Sequence, residues 1–457
     1  MSTLTARLAQ FATTLRFEDI PDGARGAARR LIFDSLGCSL GGLKQHDPGI
    51  YLDVVRELGG NPQATVLGTG TRLSVVQATL INSLLVRVMD YNDIYWMQDP
   101  SHPSDIIPAA LSTGEYVGAN GQELLTAIVI GYEIAMRLCE FAFPGIRERG
   151  WHHATLTQFA SPFVAGRILG LTKGQMVHAA GICGSSHATT GSVAAGKLTM
   201  MKNTADPMAT AAGVESALLA RSGYTGPEHV IDGKEGLMHC LGEGWKPDAL
   251  TSGLGSDFHV TRCGMKAFPT EALTHAPITA LLNIIAREAL TPDQIQTVTV
   301  RTIARAADIL SDPSKYNPRS KETADHSLPW CLAAACARGK VTPAEFTSQA
   351  IDDPLIRSFL ARIHVLAEPS YEAMFPEKQP NHVTVTTRSN KSIEEFVEFP
   401  RGHWTSPLDR PSLLQKFGSL AAPDMDSDRV QAVYDCVMEF EQMDSIAPLL
   451  SMLRVRE

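Results

Sequence analysis

Leu4, Leu8, Phe11 and Leu15 recur at helical spacing and predict a first amphipathic helix. Helix follows helix from there to about residue 265. Glu18-Asp19-Ile20-Pro21 opens a segment that runs through Leu31-Ile32-Phe33-Asp34 and ends near Gly41-Gly42. Gln122 to Leu138 carries Leu124, Leu125, Ile128 and Ile130 as another. Ser161 to Leu169 and Gly174 to Cys183 are shorter, and their alanine- and glycine-rich composition predicts close helix packing. Met208 to Ser222 is nearly continuous in small and apolar residues and is ended by Gly223, which predicts a helix buried on most of its surface.

Near residue 266 the pattern changes. Ile278 to Leu290 is helical, but Gln294 to Thr302 alternates and is rich in β-branched residues. Asn381 to Arg388 alternates in the same way and precedes Lys391 to Glu398. Helical segments at Leu328–Arg338, Pro343–Gln349 and Pro354–Ile363 lie between these strands, and helical periodicity returns from Ser412 to Leu453. The expected fold class is mainly α. A large all-helical domain comes from both chain ends, 1–266 and 401–457, and a smaller α+β domain, 267–400, is inserted in it.

A length of 457 residues exceeds one compact core, which agrees with two domains. An apolar content of 44% and a net charge of −9 describe a soluble globular protein. No cluster of lysine and arginine forms a phosphate-binding stripe, so nucleic acid is not an expected partner. No apolar run reaches the ~18 residues of a membrane span, and the first residues lack the apolar core of a secretory signal. A cytoplasmic location is the expectation. None of the eight cysteines forms a C-x-x-C pair, and Cys331 and Cys336 fall in an alanine-rich helical run. Neither a zinc site, an iron–sulfur cluster nor a disulfide frame is expected.

The chemistry concentrates in a few polar stretches. Asp90 to Asp105 packs carboxylates (Asp90, Asp93, Asp99, Asp105), His102 and two tyrosines between strongly apolar flanks, stiffened by Pro100 and Pro103. A solvated loop whose aspartates cap the next helix is the plain alternative. His152 and His153 follow Gly150, and because adjacent side chains diverge, at most one faces a given pocket. Lys197 and Lys202 stand just before the most apolar helix, a plausible carboxylate-binding corner, with Lys197 expected to reach solvent. Lys266 and His275 flank the domain boundary, where ligands often bind and where a plain linker is the alternative. Tyr316 and His326 sit in a polar loop of the small domain. The signatures G-x-S-x-G, G-x-G-x-x-G and G-x-x-x-x-G-K-[ST] are absent. What remains is an acid–base inventory suited to a small polycarboxylate.

Several of these stretches together resemble the MmgE/PrpD family over essentially the whole chain: Glu18-Asp-Ile-Pro21, Leu31-Ile-Phe-Asp-Ser-Leu-Gly37, Asp90-x-x-Asp93, His102-Pro-Ser-Asp105, Gly150-Trp-His-His-Ala-Thr155, Gly223-Tyr-Thr-Gly-Pro227, Lys266-Ala-Phe-Pro269 with Thr274-His275, and His326-Ser-Leu-Pro329. The resemblance implies a helical domain with an inserted lid, a homodimer, and catalysis without metal or organic cofactor. It implies a dehydratase acting on a 2-methylcitrate- or citrate-like acid, with cis-aconitate decarboxylase and iminodisuccinate epimerase as alternatives within the family. A non-catalytic relative that binds tricarboxylates is an alternative of another class. His102 and either His152 or His153 are then base and acid in an order left open, with Tyr316 a donor from the lid. Lys202, Lys266 and His275 form a cationic cradle, and Asp90 and Asp93 orient His102. Ile94 and the doubled His152-His153 depart from the family pattern, where threonine and a single histidine are usual.

Overall fold

The computed structural model describes residues 2–195 and 198–455; Lys197, expected to reach solvent, lies outside the described residues. The fold is mainly α, and the chain separates into two compact units. One holds 1–88, 92–263 and 409–457; the other holds Met89–Tyr91 and Gly264–Leu408. Relative to the boundaries expected from texture, the changes of unit fall at Cys263 and Leu408, and the tripeptide Met89–Tyr91 groups with the second unit.

In the first unit, the helix Asp22–Gly42 is buried on every side from Leu31 onward. The helices Val75–Arg87, Arg410–Ala421 and Ser427–Met438 pack on it. Gly42 shows how tight this is: a Cβ there would lie 2.1 Å from the Leu85 carbonyl oxygen, so only glycine fits. A buried ion pair, Lys416 to Asp34 at 2.7 Å, ties the C-terminal helices to the N-terminal part of this unit.

The helix Met201–Arg221 packs against Val75–Arg87, Ser161–Ile168 and Lys173–Ser186. It begins seven residues earlier than the apolar pattern predicts, with Pro207 inside it. Proline removes one backbone donor, and here burial of the helix outweighs that loss. Lys202 therefore lies within the first turn of the helix instead of before it.

The second unit is built on a four-stranded sheet ordered Ile363–Ala367, Ile295–Thr302, Asn381–Thr387, Ser392–Val397. The first pair is parallel and the others are antiparallel. Val298 lies opposite Ile363 and Val385, and Val300 opposite Val365 and Val383. Val298, Val300, Val383, Val385 and Ile393 point into the core, while the threonines between them alternate outward, as the period-two pattern requires. The helix His275–Arg287 packs on Asn381–Thr387 and Ser392–Val397. Among the described residues no helix is long and apolar enough to cross a membrane.

Candidate active site

In the first unit the chain leaves the short strand Asp93–Trp96, turns back through Pro100–Ser101 and enters a 3-10 turn at Pro103–Ile106. The Asp93 carboxylate accepts the Ser104 backbone N–H at 3.0 Å and the Ser104 hydroxyl at 2.6 Å. It also accepts the Tyr132 hydroxyl at 2.7 Å. Burial pushes this carboxyl up to about 6, with Ser104, Tyr132 and Cys263 pulling it partly back. Asn92 donates to Ser104 and to Asp105, and Ser83 and Thr210 donate to the Asp105 carbonyl. The loop that carries His102 is thus fixed from both sides.

His102 Nδ1 lies 2.7 Å from the Asp93 carbonyl oxygen. A carbonyl can only accept, so Nδ1 carries the hydrogen and, in the neutral ring, the lone pair sits on Nε2. Asp93 thus meets His102 through its backbone oxygen, while its carboxylate holds the loop.

Gly150 takes a left-handed backbone, φ +83°, and its carbonyl accepts the Gly191 N–H at 2.7 Å. The next residues pair with Thr189 and Thr190, and this delivers both histidines to one place. The rings of His152 and His153 are 3.9 Å apart, and those of His153 and His102 are 5.5 Å apart. The expectation that only one of the adjacent pair faces the site is corrected here. A bend before the helix Ala154–Thr157 brings the two rings together instead of splaying them.

His152 Nδ1 accepts the Ala154 backbone N–H at 3.2 Å. Burial pushes its pKa well below the ordinary value, and the neighbouring His153 adds to that. Asp206 is buried, takes the Thr157 hydroxyl at 2.7 Å, and has its other oxygen 3.1 Å from His153 Nε2. That second approach becomes an ion pair when His153 carries a proton. Burial alone would raise the Asp206 carboxyl; the charges of His153, His152 and Arg87 overcome it and hold the group well below the usual carboxylate range.

Lys202 is buried in the first turn of Met201–Arg221, one turn before Asp206 on the same face, and its charge reaches His152. Arg87, also buried, stands 3.6 Å from Asp105. The donors of His152, His153 and Asp206 lie within 4.8 Å of one another, close enough to span a divalent cation. Arg87 and Lys202 bear on that spot as cations, and Asp206 and Asp99 as carboxylates.

The second unit holds the remaining candidates. Asp90 takes a left-handed backbone, φ +52°, uncommon without glycine. Its carboxylate pairs with Lys266 at 2.8 Å. The Lys266 ammonium also donates to the Asp90 carbonyl at 3.1 Å and to Thr270 at 3.0 Å. An ammonium has three donors, and here all three are engaged. Lys266 as a direct substrate ligand therefore gives way to Lys266 as the buried counter-ion that holds Asp90. Asp90 in turn is anchored by Lys266.

His275 opens the helix His275–Arg287, with Nε2 3.3 Å from the Thr270 carbonyl and its ring 5.3 Å from that of Phe268. Asp325 lies 2.6 Å from His326 Nδ1 and 3.1 Å from Lys321. Tyr316 ends the turn Pro313–Tyr316. Burial raises its hydroxyl, and the Val365 backbone partly offsets this.

The first unit thus gathers His102, His152, His153 and Lys202, and the second gathers Asp90, Lys266 and His275. Asp206, Thr157 and Arg87 escaped the sequence reading. The signal for Asp206 was its place in an otherwise small and apolar helix, four residues after Lys202.

A family model described as the MmgE/PrpD N-terminal domain matches residues 6–250, and one described as the MmgE/PrpD C-terminal domain matches 268–441. A cis-aconitate decarboxylase of Aspergillus terreus is 25% identical, over 99% of this chain and 96% of its own. The cis-aconitate decarboxylase of Mus musculus is 24% identical, over 99% and 94%. A 2-methylcitrate dehydratase of Cupriavidus necator is 25% identical, over 94% and 93%.

Proposed function

Since the chain belongs to the MmgE/PrpD family, we propose that it is a cofactor-independent lyase that eliminates water from a 2-methylcitrate- or citrate-like acid. Such an elimination needs a base for a proton beside a carboxylate and an acid for the departing hydroxyl. The observation that carries the reading is His102 within 5.5 Å, ring to ring, of His153. In its neutral form the first has its lone pair on Nε2, and the second has a buried carboxylate beside it. Charge building on the substrate carboxylate is met by Lys202, a buried ammonium at the positive end of a helix, where an anion is welcome.

His102 takes the proton from carbon, and a histidine of the 152–153 pair protonates the leaving oxygen. Arg87, 3.6 Å from Asp105, adds a second positive charge that bears on His152. A homodimer in the cytoplasm is the setting this reading carries.

The second reading, decarboxylation of cis-aconitate, is favoured by the fuller coverage of this chain by relatives of that name. It needs one proton donor and no base. A panel separates the two: 2-methylcitrate and citrate followed for an unsaturated product, cis-aconitate for released carbon dioxide, and iminodisuccinate for inversion. Unsaturated product from 2-methylcitrate supports the proposal, and carbon dioxide alone replaces it with the second reading.

A further inference from the structure

The doubled histidine leaves open which ring donates, and the surroundings of the pair answer it. Two imidazoles 3.9 Å apart cannot both be charged in a buried site without strong repulsion. His152 is occupied as an acceptor: its Nδ1 takes the Ala154 N–H, which an imidazolium could not do. His153 is the less buried of the two and faces Asp206 at 3.1 Å. Asp206, for its part, is a buried carboxylate that accepts the Thr157 hydroxyl, and among the described residues its other oxygen has no hydrogen-bond partner. A carboxylate so placed needs a cation beside it.

We infer that Asp206 is a positioning residue that keeps the proton of the histidine pair on His153 and so makes His153, with His152 neutral behind it, the acid of the proposed reaction. This rests on the lyase reading for its consequence in catalysis, but the location of the proton can be tested without turnover. The groups that bear on His153 are His152 and His102 by ring contact, Asp206 by charge, and Asp99, whose carboxyl feels the His153 charge. Arg87 and Lys202 bear on its neighbour His152. The two basic side chains oppose a second proton on the pair, and the two carboxylates favour the first.

The test uses the full chain with histidines labelled at ring carbon, comparing wild type, Asp206→Asn and Asp206→Glu by nuclear magnetic resonance and kinetics. Asparagine keeps an acceptor for Thr157 and loses the charge; His152→Gln and His153→Gln assign the signals. The expected result is that His153 titrates and that its midpoint falls by about one pH unit or more in Asp206→Asn, as removal of an opposite charge within ~4 Å requires. Asp206→Glu restores most of it. In turnover, the alkaline limb of kcat moves down with the midpoint, while KM changes less than about three-fold. An unmoved midpoint, or His152 as the ring that holds the proton, overturns the inference. A moved midpoint in a chain that turns over none of the panel substrates places the proton on His153 and removes the lyase reading instead. A lower kcat with an unshifted limb reduces Asp206 to a structural residue. Addition of zinc chloride distinguishes a metal use of the same donors: tight binding lost in Asp206→Asn would overturn the proton assignment.

Discussion

Asp93→Asn should remove a pH dependence from the stability of the first unit. The wild-type carboxyl, near 6 when folded, is raised by burial above its ordinary value of about 3.9. A group raised in this way stabilises the fold fully below its unfolded value, and the contribution is lost as pH climbs through its folded value. The gap of about two pH units corresponds to about 3 kcal/mol, of which about 2 kcal/mol falls between roughly pH 4.5 and 7.5. Asparagine does not titrate. Its effect on the Ser104 and Tyr132 hydrogen bonds is an offset that pH leaves alone. Asp206, held low, keeps its charge across that range and cancels between the two proteins. Urea unfolding of both chains at four pH values, followed by circular dichroism, gives the difference directly. Wild type should lose about 2 kcal/mol relative to the variant as pH rises across that range. Parallel curves, or wild type gaining on the variant toward neutral pH, would refute the reasoning.

Three further outcomes are expected. Lys266→Met leaves the Asp90 carboxylate buried without its counter-ion and should destabilise the second unit by about 3–5 kcal/mol, read as a lowered unfolding midpoint; an unchanged midpoint would mean that Asp90 is not held by this pair. Lys202→Gln should raise KM for a tricarboxylate by about ten-fold or more, since a charge-assisted contact contributes about 1.5–3 kcal/mol; an unchanged KM and kcat would remove Lys202 from the site. Exhaustive dialysis against a chelator should leave turnover intact, and activity lost to the chelator and restored by a divalent ion would contradict the cofactor-independent reading.

Much of the fold is legible in the chain because burial leaves a periodic trace. Leu4 to Leu15 and the strand Ile295–Thr302 lie where their periods of 3.6 and two predict. The strand Ile363–Ala367 begins where the pattern predicts the last residue of a helix, and residues 364–367 carry no predicted element. It is half exposed, so the alternation that marks the other strands is missing from it. The start of Met201–Arg221 was masked by Pro207, which marks a boundary by propensity and is overruled by packing.

The site divides in the same way. His102 was legible from its crowded loop, and its tautomer follows from a backbone carbonyl that no side-chain pattern encodes. Lys266 looked like a cation for substrate, yet its ammonium is saturated by Asp90 and Thr270, a matter of geometry alone. Asp206 and His153 lie far apart in sequence and meet through tertiary contacts, among them the pairing of the turn after Gly150 with Thr189 and Thr190 and the Thr157–Asp206 hydrogen bond.

The central claim is that two histidines of the first unit, one taking and one giving a proton, make a double bond in a small polycarboxylate. The most direct measurement is absorbance of the new double bond from 2-methylcitrate, with wild type, His102→Ala and His153→Ala. Wild type should form the unsaturated acid, and each variant should be slower in kcat by about 10²–10⁴. Unsaturated product at an undiminished rate in both variants, or none from a folded wild-type chain, would contradict the account.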